Sequence, residues 1–172
     1  IGNITLDNSI PKICVPLTGR TIEELVLECQ FVKELSYDIL ELRIDYYREV
    51  TDLSAVGNAI DAIRSELPNS PLLFTFRTKG EGGEIDISEA YYFKLIDYAI
   101  HCGKIDAIDI EYFSATNSVT KAINSAKTKK IAVILSSHDF AETPPFEELI
   151  NRLEGMKKLG GDVAKLACMP HT

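Results

Sequence analysis

Residues 130–140 read KIAVILSSHDF, a β-branched apolar run that ends in two serines, a histidine and an aspartate. Such a run is typical of a strand buried on both faces, as in a parallel sheet covered by helices. Because successive side chains of a strand point to opposite faces, Ser136 and His138 continue one face of the run. We therefore predict a strand over Lys130–Ser136, with His138 just past its carboxyl end.

The same pattern extends along the chain in both directions from this run. Short β-branched segments alternate with longer segments whose apolar residues recur at helical spacing. The predicted strands are Lys12–Leu17, Asp38–Arg43, Pro71–Arg77, Ile105–Glu111, Lys130–Ser136 and Asp162–Ala167. The predicted helices lie near Thr21–Ser36, Asp52–Glu66, Ser88–Cys102, Ala115–Lys127 and Pro144–Leu159. This alternation predicts an α/β fold with a parallel sheet, either an open doubly wound sheet or a (β/α)8 TIM barrel.

Charged residues distinguish these two architectures, because they share one face of the predicted strands. Near the carboxyl ends of the strands, that face carries Glu41, Arg43, Arg77, Asp109, Glu111, His138 and Lys165. An open doubly wound sheet has helices on both faces, and burying so many charges beneath helices is costly. The carboxyl ends of barrel strands are instead where enzymes of this fold carry their active sites. The pattern therefore favours the (β/α)8 barrel.

The length of the chain limits how much of a barrel it can form. Each predicted strand–helix unit takes about 30 residues, and the 172 residues stop soon after the sixth predicted strand. A typical eight-unit barrel takes ~250 residues. We expect residues 1–172 to form a single barrel domain that covers about six of the eight units and is incomplete at its C-terminus.

Two segments outside the alternation allow local predictions. Ile4–Leu6, followed by the turn-forming residues 7–9, predicts a short strand and turn that lead a hairpin over one end of the sheet. Thr143, which precedes Pro144, predicts the cap at the amino end of the last helix.

Two residues on the charged face have the chemistry of reacting groups. Lys165 lies in DVAKLACM, with apolar residues on both sides, so we expect it to be buried. Burial disfavours the ammonium form, and a neutral amine is a nucleophile towards a ketone or aldehyde. His138 follows a buried strand, and a histidine there suits proton transfer near neutral pH. Glu81, in the glycine-rich loop after the third strand, is placed to orient such a histidine.

Structural and metal-binding alternatives remain open for the carboxylates. Asp109 is a candidate for a purely structural ion pair with Arg43 or Arg77, since barrel interiors contain such pairs. A magnesium site formed by Glu41, Asp109 and Glu111 is also compatible with the pattern, but the neighbouring arginines and lysine disfavour it. Neither an HxxxH pair nor the clustered cysteines and histidines of a zinc site are present.

Composition excludes other classes of protein. The formal charge of −8 argues against a nucleic-acid backbone as partner. No uncharged apolar run approaches ~18 residues, and the start of the chain does not read as a signal peptide. The four cysteines are dispersed, which is typical of reduced thiols. We expect a cytoplasmic protein whose partner is a small molecule.

Together these segments resemble one known family, the type I 3-dehydroquinate dehydratases of the shikimate pathway. The matching motifs occur in the family's order across nearly the whole chain. They are Glu41-Leu-Arg43-Ile-Asp45, Phe74-Thr-Phe-Arg77-x-x-x-Glu81-Gly-Gly83, Asp109-Ile-Glu111, Ser136-Ser-His138-Asp-Phe140 and Ala164-Lys165-Leu-Ala-Cys-Met169-Pro170. Each motif is weak alone, whereas the five in this order are highly specific.

The resemblance implies a lyase that dehydrates 3-dehydroquinate to 3-dehydroshikimate without a metal or cofactor. It implies that Lys165 forms a Schiff base with the substrate ketone and that His138 is the general acid and base. Glu81 would orient that histidine. By the same resemblance, Glu41, Arg43 and Arg77 hold the substrate hydroxyls and support the lysine. A homodimer is compatible with the family but is not indicated by any residue pattern here.

Part of the family's pattern is missing, and two other functions remain open. The family's last strands carry an arginine for the substrate carboxylate, with a serine and a glutamine, and no residue of this chain matches them. We therefore expect residues 1–172 alone to be inactive. A different Schiff-base enzyme, such as a class I aldolase, would share Lys165 but need other polar partners. A non-catalytic binding barrel would keep the charges and form no imine.

Overall fold

The computed structural model describes residues 1–7 and 10–170 and contains six strands joined by five α-helices. The strands are β1 (Cys14–Leu17), β2 (Ile39–Arg43), β3 (Leu72–Thr75), β4 (Ala107–Glu111), β5 (Ala132–Asp139) and β6 (Val163–Cys168). The helices are α1 (Ile22–Val32), α2 (Leu53–Glu66), α3 (Glu89–His101), α4 (Thr116–Thr128) and α5 (Phe146–Leu159). Short 3₁₀ turns follow β2 at Ile44–Tyr46 and β3 at Lys79–Glu81.

The six strands form one parallel sheet in sequence order, from β1 to β6. The sheet curls into the shape of part of a barrel. An open doubly wound sheet reverses its strand order at a switch point, and this sheet has no such reversal. The α/β class and the parallel sheet are therefore confirmed, whereas six strands do not by themselves form a closed barrel.

The curled sheet has an apolar layer on each face, and the two layers differ in size. The outer face packs against the helices in one large core that includes Leu42, Phe74 and Ile110. The inner face has only a small apolar cluster towards the amino ends of the strands, formed by Ile39, Leu73, Ala107 and Ile134. Two residues farther along each of these strands, the inner face carries Glu41, Thr75, Asp109 and Ser136. The inner face thus changes from apolar to polar along the strands.

Side-chain caps fix the start of three helices. The Oγ1 of Thr21 accepts from the backbone N–H of Glu24 at the start of α1, and Asp52 and Ser88 cap α2 and α3 in the same way. The last helix is present as predicted, but its predicted cap is wrong, because α5 has Pro145 at its cap position and no side-chain cap. The Thr143 hydroxyl instead donates to the backbone carbonyl of Met169, just after β6.

The N-terminal prediction is wrong in its secondary structure. Residues 4–6 form no strand; the backbone N–H of Ile4 donates to the carbonyl of Ile1 in a turn. Ile1 and Ile4 instead pack their side chains against the small inner cluster, so apolar contact rather than strand pairing attaches this segment. The rest of the predicted turn, at residues 8 and 9, lies outside the described residues.

Strand ends differ from the predictions by a few residues, and one difference matters for function. β5 continues to Asp139, and His138 pairs in register with Ala167 of β6. His138 therefore lies within a hydrogen-bonded strand and not in a loop, because pairing with β6 extends beyond the apolar part of the run. Across residues 1–7 and 10–170, no helix has the length and apolarity that crossing a membrane requires.

Candidate active site

Arg77 is the centre of the polar cluster at the carboxyl ends of the strands. It follows β3 and is 3% exposed. Its guanidinium lies 2.9 Å from Asp109, 3.2 Å from Glu111 and 3.3 Å from Glu81. Burial alone would lower the pKa of Arg77, but these three carboxylates raise it above its usual value. Arg77 thus stays charged and holds three acids on one side of the sheet.

Asp109 is the most deeply buried acid of this cluster, with no exposed surface. Its Oδ1 accepts a 2.6 Å hydrogen bond from the hydroxyl of Ser136, which itself accepts from Arg77 at 2.9 Å. Its Oδ2 lies 3.6 Å from the Nζ of Lys165. Asp109 therefore connects the arginine to the lysine.

Lys165 projects from β6 with its side chain 38% exposed. Among the residues that the structure describes, Lys165 is therefore not buried, and the expectation of a buried lysine is wrong. The apolar residues around it predicted burial, but β6 pairs only with β5 among the described residues and has no second neighbour to cover it. The amine is accessible to a small molecule and close to one buried carboxylate.

His138 is fixed by Glu81 and by an aromatic ring. The Nδ1 of His138 lies 3.0 Å from the Oε2 of Glu81. Because an ionised carboxylate only accepts hydrogen bonds, Nδ1 carries the proton and the lone pair is on Nε2. The ring of Phe140 stacks on the imidazole, with 6.2 Å between the centroids and 12° between the planes. The imidazole thus has a fixed orientation and a basic nitrogen opposite Glu81.

The glycine-rich loop that carries Glu81 leaves no room for a side chain at two of its glycines, Gly82 and Gly83. Gly82 has a φ of +86°, and a Cβ there would lie 2.4 Å from the ring of Phe140. A Cβ on Gly83 would lie 1.8 Å from the carbonyl oxygen of Arg77. These glycines allow the loop to fold tightly over β3, which brings Glu81 to His138.

Glu111 holds the start of this loop. Its carboxylate accepts from the backbone N–H and the hydroxyl of Thr78, both at 2.8 Å, and from Arg77. Burial raises the pKa of Glu111, as does the nearby Glu81, while the Thr78 hydrogen bonds oppose that shift. The phenol oxygen of Tyr92 accepts from the backbone N–H of Glu111. Glu111 is thus a buried support for the loop.

Glu41 and Arg43 lie on the same face but have other partners. Glu41 accepts a 2.8 Å hydrogen bond from the hydroxyl of Thr75. Arg43 makes two 2.9 Å hydrogen bonds to Asp45, which is buried in the 3₁₀ turn after β2. Asp45 also accepts from the backbone N–H groups of Arg77 and Glu84. The Arg43–Asp45 pair therefore holds both ends of the loop that carries Glu81.

The structure therefore connects four of the six predicted site residues through ion-pair contacts, which run from Lys165 through Asp109 to Arg77, Glu81 and His138. Arg43 reaches Arg77 only indirectly, through Asp45, which accepts from the Arg77 backbone N–H, and Glu41 shares the face with Thr75 as its hydrogen-bond partner. Sequence reasoning missed the roles of Ser136 and Thr78 as supports. Ser136 had a signal, since it lies on the polar face, whereas Thr78 had none beyond its place before the glycines.

The possible structural pair of Asp109 with Arg77 is confirmed, whereas its pairing with Arg43 is not observed in the described ranges. The magnesium alternative finds no support there, since no group of three or more histidine, cysteine or acidic side chains is arranged to hold a metal. Asp109 and Glu111 face arginine, serine and threonine donors instead.

A family model for type I 3-dehydroquinase matches residues 13–172. This chain belongs to the type I 3-dehydroquinase family. Among curated relatives, a 3-dehydroquinate dehydratase from Listeria welshimeri is 42% identical over 170 residues, which are 99% of this chain and 68% of the relative. One from Bacillus licheniformis is 42% identical over 172 residues, again covering 68% of the relative. The family predicted from the motifs is confirmed.

Solved structures of the family have the same architecture. A type I 3-dehydroquinate dehydratase from Clostridium difficile, solved with covalently modified comenic acid, superposes with a TM-score of 0.97 at 38% identity. The match covers all of this chain and 68% of that one. An archaeal fructose-1,6-bisphosphate aldolase with a catalytic lysine has a TM-score of 0.54 at 18% identity, which shows likeness of fold alone.

Proposed function

We propose that the complete protein is a lyase of the shikimate pathway that dehydrates 3-dehydroquinate to 3-dehydroshikimate through a Schiff base on Lys165. The observation that carries the proposal is the contact chain from the Lys165 amine to the His138 imidazole. An accessible amine and an oriented base at one edge of a sheet are the two groups that imine-based elimination needs.

In the proposed reaction, the neutral amine of Lys165 attacks the C3 ketone. The carbonyl oxygen takes up two protons, one from the attacking nitrogen and one that the Lys165 ammonium released on becoming neutral. It then leaves as water, and an iminium with a single N–H forms at C3. The positive nitrogen withdraws electrons from the adjacent C2–H bond, which makes that proton removable by a weak base. Loss of the C2 proton gives an enamine, and its electrons expel the C1 hydroxyl. Hydrolysis of the remaining imine regenerates the amine and releases the product.

His138 carries the protons in this scheme. Its Nε2 accepts the C2 proton and then returns a proton to the departing C1 hydroxyl, so that water is the leaving group. Glu81 contributes by holding Nδ1–H, which keeps the lone pair on Nε2 and favours the imidazolium that forms transiently. No other group is needed to move this proton.

The remaining three residues bind and support. We propose that Glu41 and Arg43 contact the substrate hydroxyls from β2, since both side chains are only partly buried. Arg77 is buried among carboxylates, so its contribution is to hold Asp109 next to Lys165 and Glu81 next to His138. No cofactor is required by these steps.

The full (β/α)8 barrel is part of the proposal. β1 and β6 each have one neighbour within the described residues, and closing the curled sheet between them needs further strands. The missing partners for the substrate carboxylate would come from those strands, so residues 1–172 alone would be inactive. A cytoplasmic location fits a pathway of small metabolites, and a homodimer stays a prediction.

A paired assay on the full-length protein tests the proposal. Turnover of 3-dehydroquinate is followed by the ultraviolet absorbance of the conjugated enone product. Imine formation is followed by adding borohydride and measuring the intact mass, with the adduct mapped by peptide analysis. We expect turnover together with a reduced adduct on Lys165. Turnover without an adduct would overturn the Schiff base, and an adduct with aldol donors but not with 3-dehydroquinate would favour an aldolase.

A further inference from the structure

The two oxygens of the Asp109 carboxylate differ in their hydrogen bonding: one has partners, and the other, called the unfilled oxygen below, has no donor among the described residues. Its Oδ1 accepts from Ser136 and lies 2.9 Å from Arg77. Its Oδ2 is buried and accepts no hydrogen bond from residues 1–7 and 10–170. A buried carboxylate oxygen without a donor is costly, since nothing replaces its lost water. Oδ2 can therefore accept a hydrogen bond for which the described residues supply no donor.

The Nζ of Lys165 lies 3.6 Å from this oxygen. That separation suits an ion pair but is too long for a hydrogen bond. Among the described residues, Asp109 is the only one that forms an ion pair with Lys165. Glu81 and Glu111 face Arg77 instead. The unfilled oxygen is thus directed at the reacting nitrogen.

We propose that Asp109 is the counter-ion of the iminium that forms on Lys165, with its Oδ2 accepting the single N–H of that iminium. This inference rests on the proposed Schiff base. A protonated lysine and a ketone give an iminium and one water, so the positive charge on nitrogen is conserved. Two of the three N–H protons leave in that water, and the remaining N–H needs one acceptor. Asp109 supplies one charge and one acceptor site.

The surroundings of Asp109 fix this oxygen in place before substrate arrives. Ser136 and Arg77 hold Oδ1 from the β5 and β3 sides, so rotation of the carboxylate would break both contacts. Arg77 itself is held by Glu81 and Glu111. A preorganised anion stabilises a cation without rearranging as the cation forms. Asp109 is therefore assigned to the iminium and not only to the fold.

The test compares Asp109→Asn with a matched control, Glu111→Gln, in the full-length protein. Both changes neutralise a buried carboxylate that contacts Arg77, but only Asp109 faces Lys165. Each protein receives 3-dehydroquinate and borohydride, and the fraction of chains with a reduced adduct on Lys165 is measured by mass. The loss of a charged hydrogen bond predicts a roughly 10- to 100-fold lower imine equilibrium constant for Asp109→Asn. Glu111→Gln should retain that of the wild type.

The outcomes separate this inference from the proposed function. No adduct on wild-type Lys165 means that the Schiff base, and with it this inference, is wrong. A wild-type adduct with an equal adduct in Asp109→Asn overturns the inference alone. Equal losses in both variants also overturn it, because the effect would then come from Arg77. Circular dichroism of each variant checks that it is folded.

A measurement on the wild type covers the case in which Asp109→Asn does not fold. The C=N stretch of the imine is recorded by Raman spectroscopy in light and heavy water. A protonated imine shifts in heavy water because its N–H becomes N–D, whereas a neutral imine does not shift. We expect the shift to persist to alkaline pH, since Asp109 holds the cation. A neutral imine near pH ~8 would contradict the inference.

Discussion

Two arginine-centred clusters lie at opposite ends of the same strands, and they differ in how completely they are satisfied. The Arg64 cluster, near the amino ends, comprises Asp61, Arg64, Lys104 and Asp106. The Arg77 cluster, at the carboxyl ends, comprises Arg77, Glu81, Asp109, Glu111 and Ser136. Arg64 donates to the carbonyls of Lys104 and Ser70 and to Asp106, so each of its three nitrogens has an acceptor.

The Arg77 cluster is more buried and less balanced. Three carboxylates surround one guanidinium, and both the Nη2 of Arg77 and the Oδ2 of Asp109 are buried without a hydrogen bond in the described ranges. In the Arg64 cluster, Asp106 also accepts from the backbone N–H of Leu72 and so ties β3 to β4. Complete hydrogen bonding thus indicates a structural link between strands. A buried carboxylate oxygen that has no donor and lies beside a lysine instead indicates a candidate reaction site.

The largest expected effect is that of Lys165→Ala, which removes the reacting amine next to the Arg77 cluster. We expect turnover of the full-length protein to fall by about 10³-fold or more, because the covalent route is lost. The unfolding free energy should change little, since the side chain is partly exposed. Steady-state kinetics with urea unfolding separates the two effects. A variant with near wild-type turnover would refute the role of Lys165.

His138→Ala should have the next largest effect. Loss of the general acid and base is expected to lower turnover by about 10²–10⁴-fold. The imine should still form slowly, because Lys165 and Asp109 are untouched, so borohydride still labels Lys165. Turnover near the wild-type rate, measured beside the same labelling assay, would mean that another group moves the proton.

Arg77→Met tests the buried cluster through stability. The change leaves Glu81, Asp109 and Glu111 without their cation, and an uncompensated buried charge typically costs about 3–5 kcal/mol. We expect the unfolding free energy in urea to fall by that amount. A loss below about 1 kcal/mol would show that water or another donor replaces the guanidinium.

Arg64→Met is the matched change at the other end of the strands. It removes three hydrogen bonds at a site where the arginine side chain is 20% exposed, so water can take over part of their role. We expect a loss of about 1–3 kcal/mol in unfolding free energy and an unchanged turnover per folded molecule. A selective loss of turnover would remove the contrast between the two clusters.

The smallest effect concerns Glu111 and is visible only as a pH dependence. Burial raises the pKa of Glu111 above its usual 4.5, so the folded state binds this proton more tightly than the unfolded state. Its contribution to stability is complete below the unfolded pKa and is lost as the pH rises through the folded pKa. Glu111→Gln lacks this loss. Its unfolding free energy relative to the wild type should therefore rise with pH above about 4.5 in urea titrations, whereas a flat difference would contradict this account.

The sequence by itself determined the order of the strands along the chain and which residues share one face of them. Apolar runs separated by helical segments allow a parallel sheet, and the two-residue period places Glu41, Asp109 and Lys165 on one face whatever the details of packing. The family also followed from the sequence, because five motifs kept their order. These features depend on local chemistry and spacing, which tertiary contacts do not alter.

Only the tertiary structure decided how the charges on that face are paired. Period and spacing do not show that Arg77 rather than Arg43 lies next to Asp109, or that Thr78 is bound by Glu111. They also do not show how far Lys165 is exposed, since exposure depends on the strands beside β6. Pairing of charges is set by distances of a few ångströms between strands far apart in sequence, and those distances exist only after the sheet has curled.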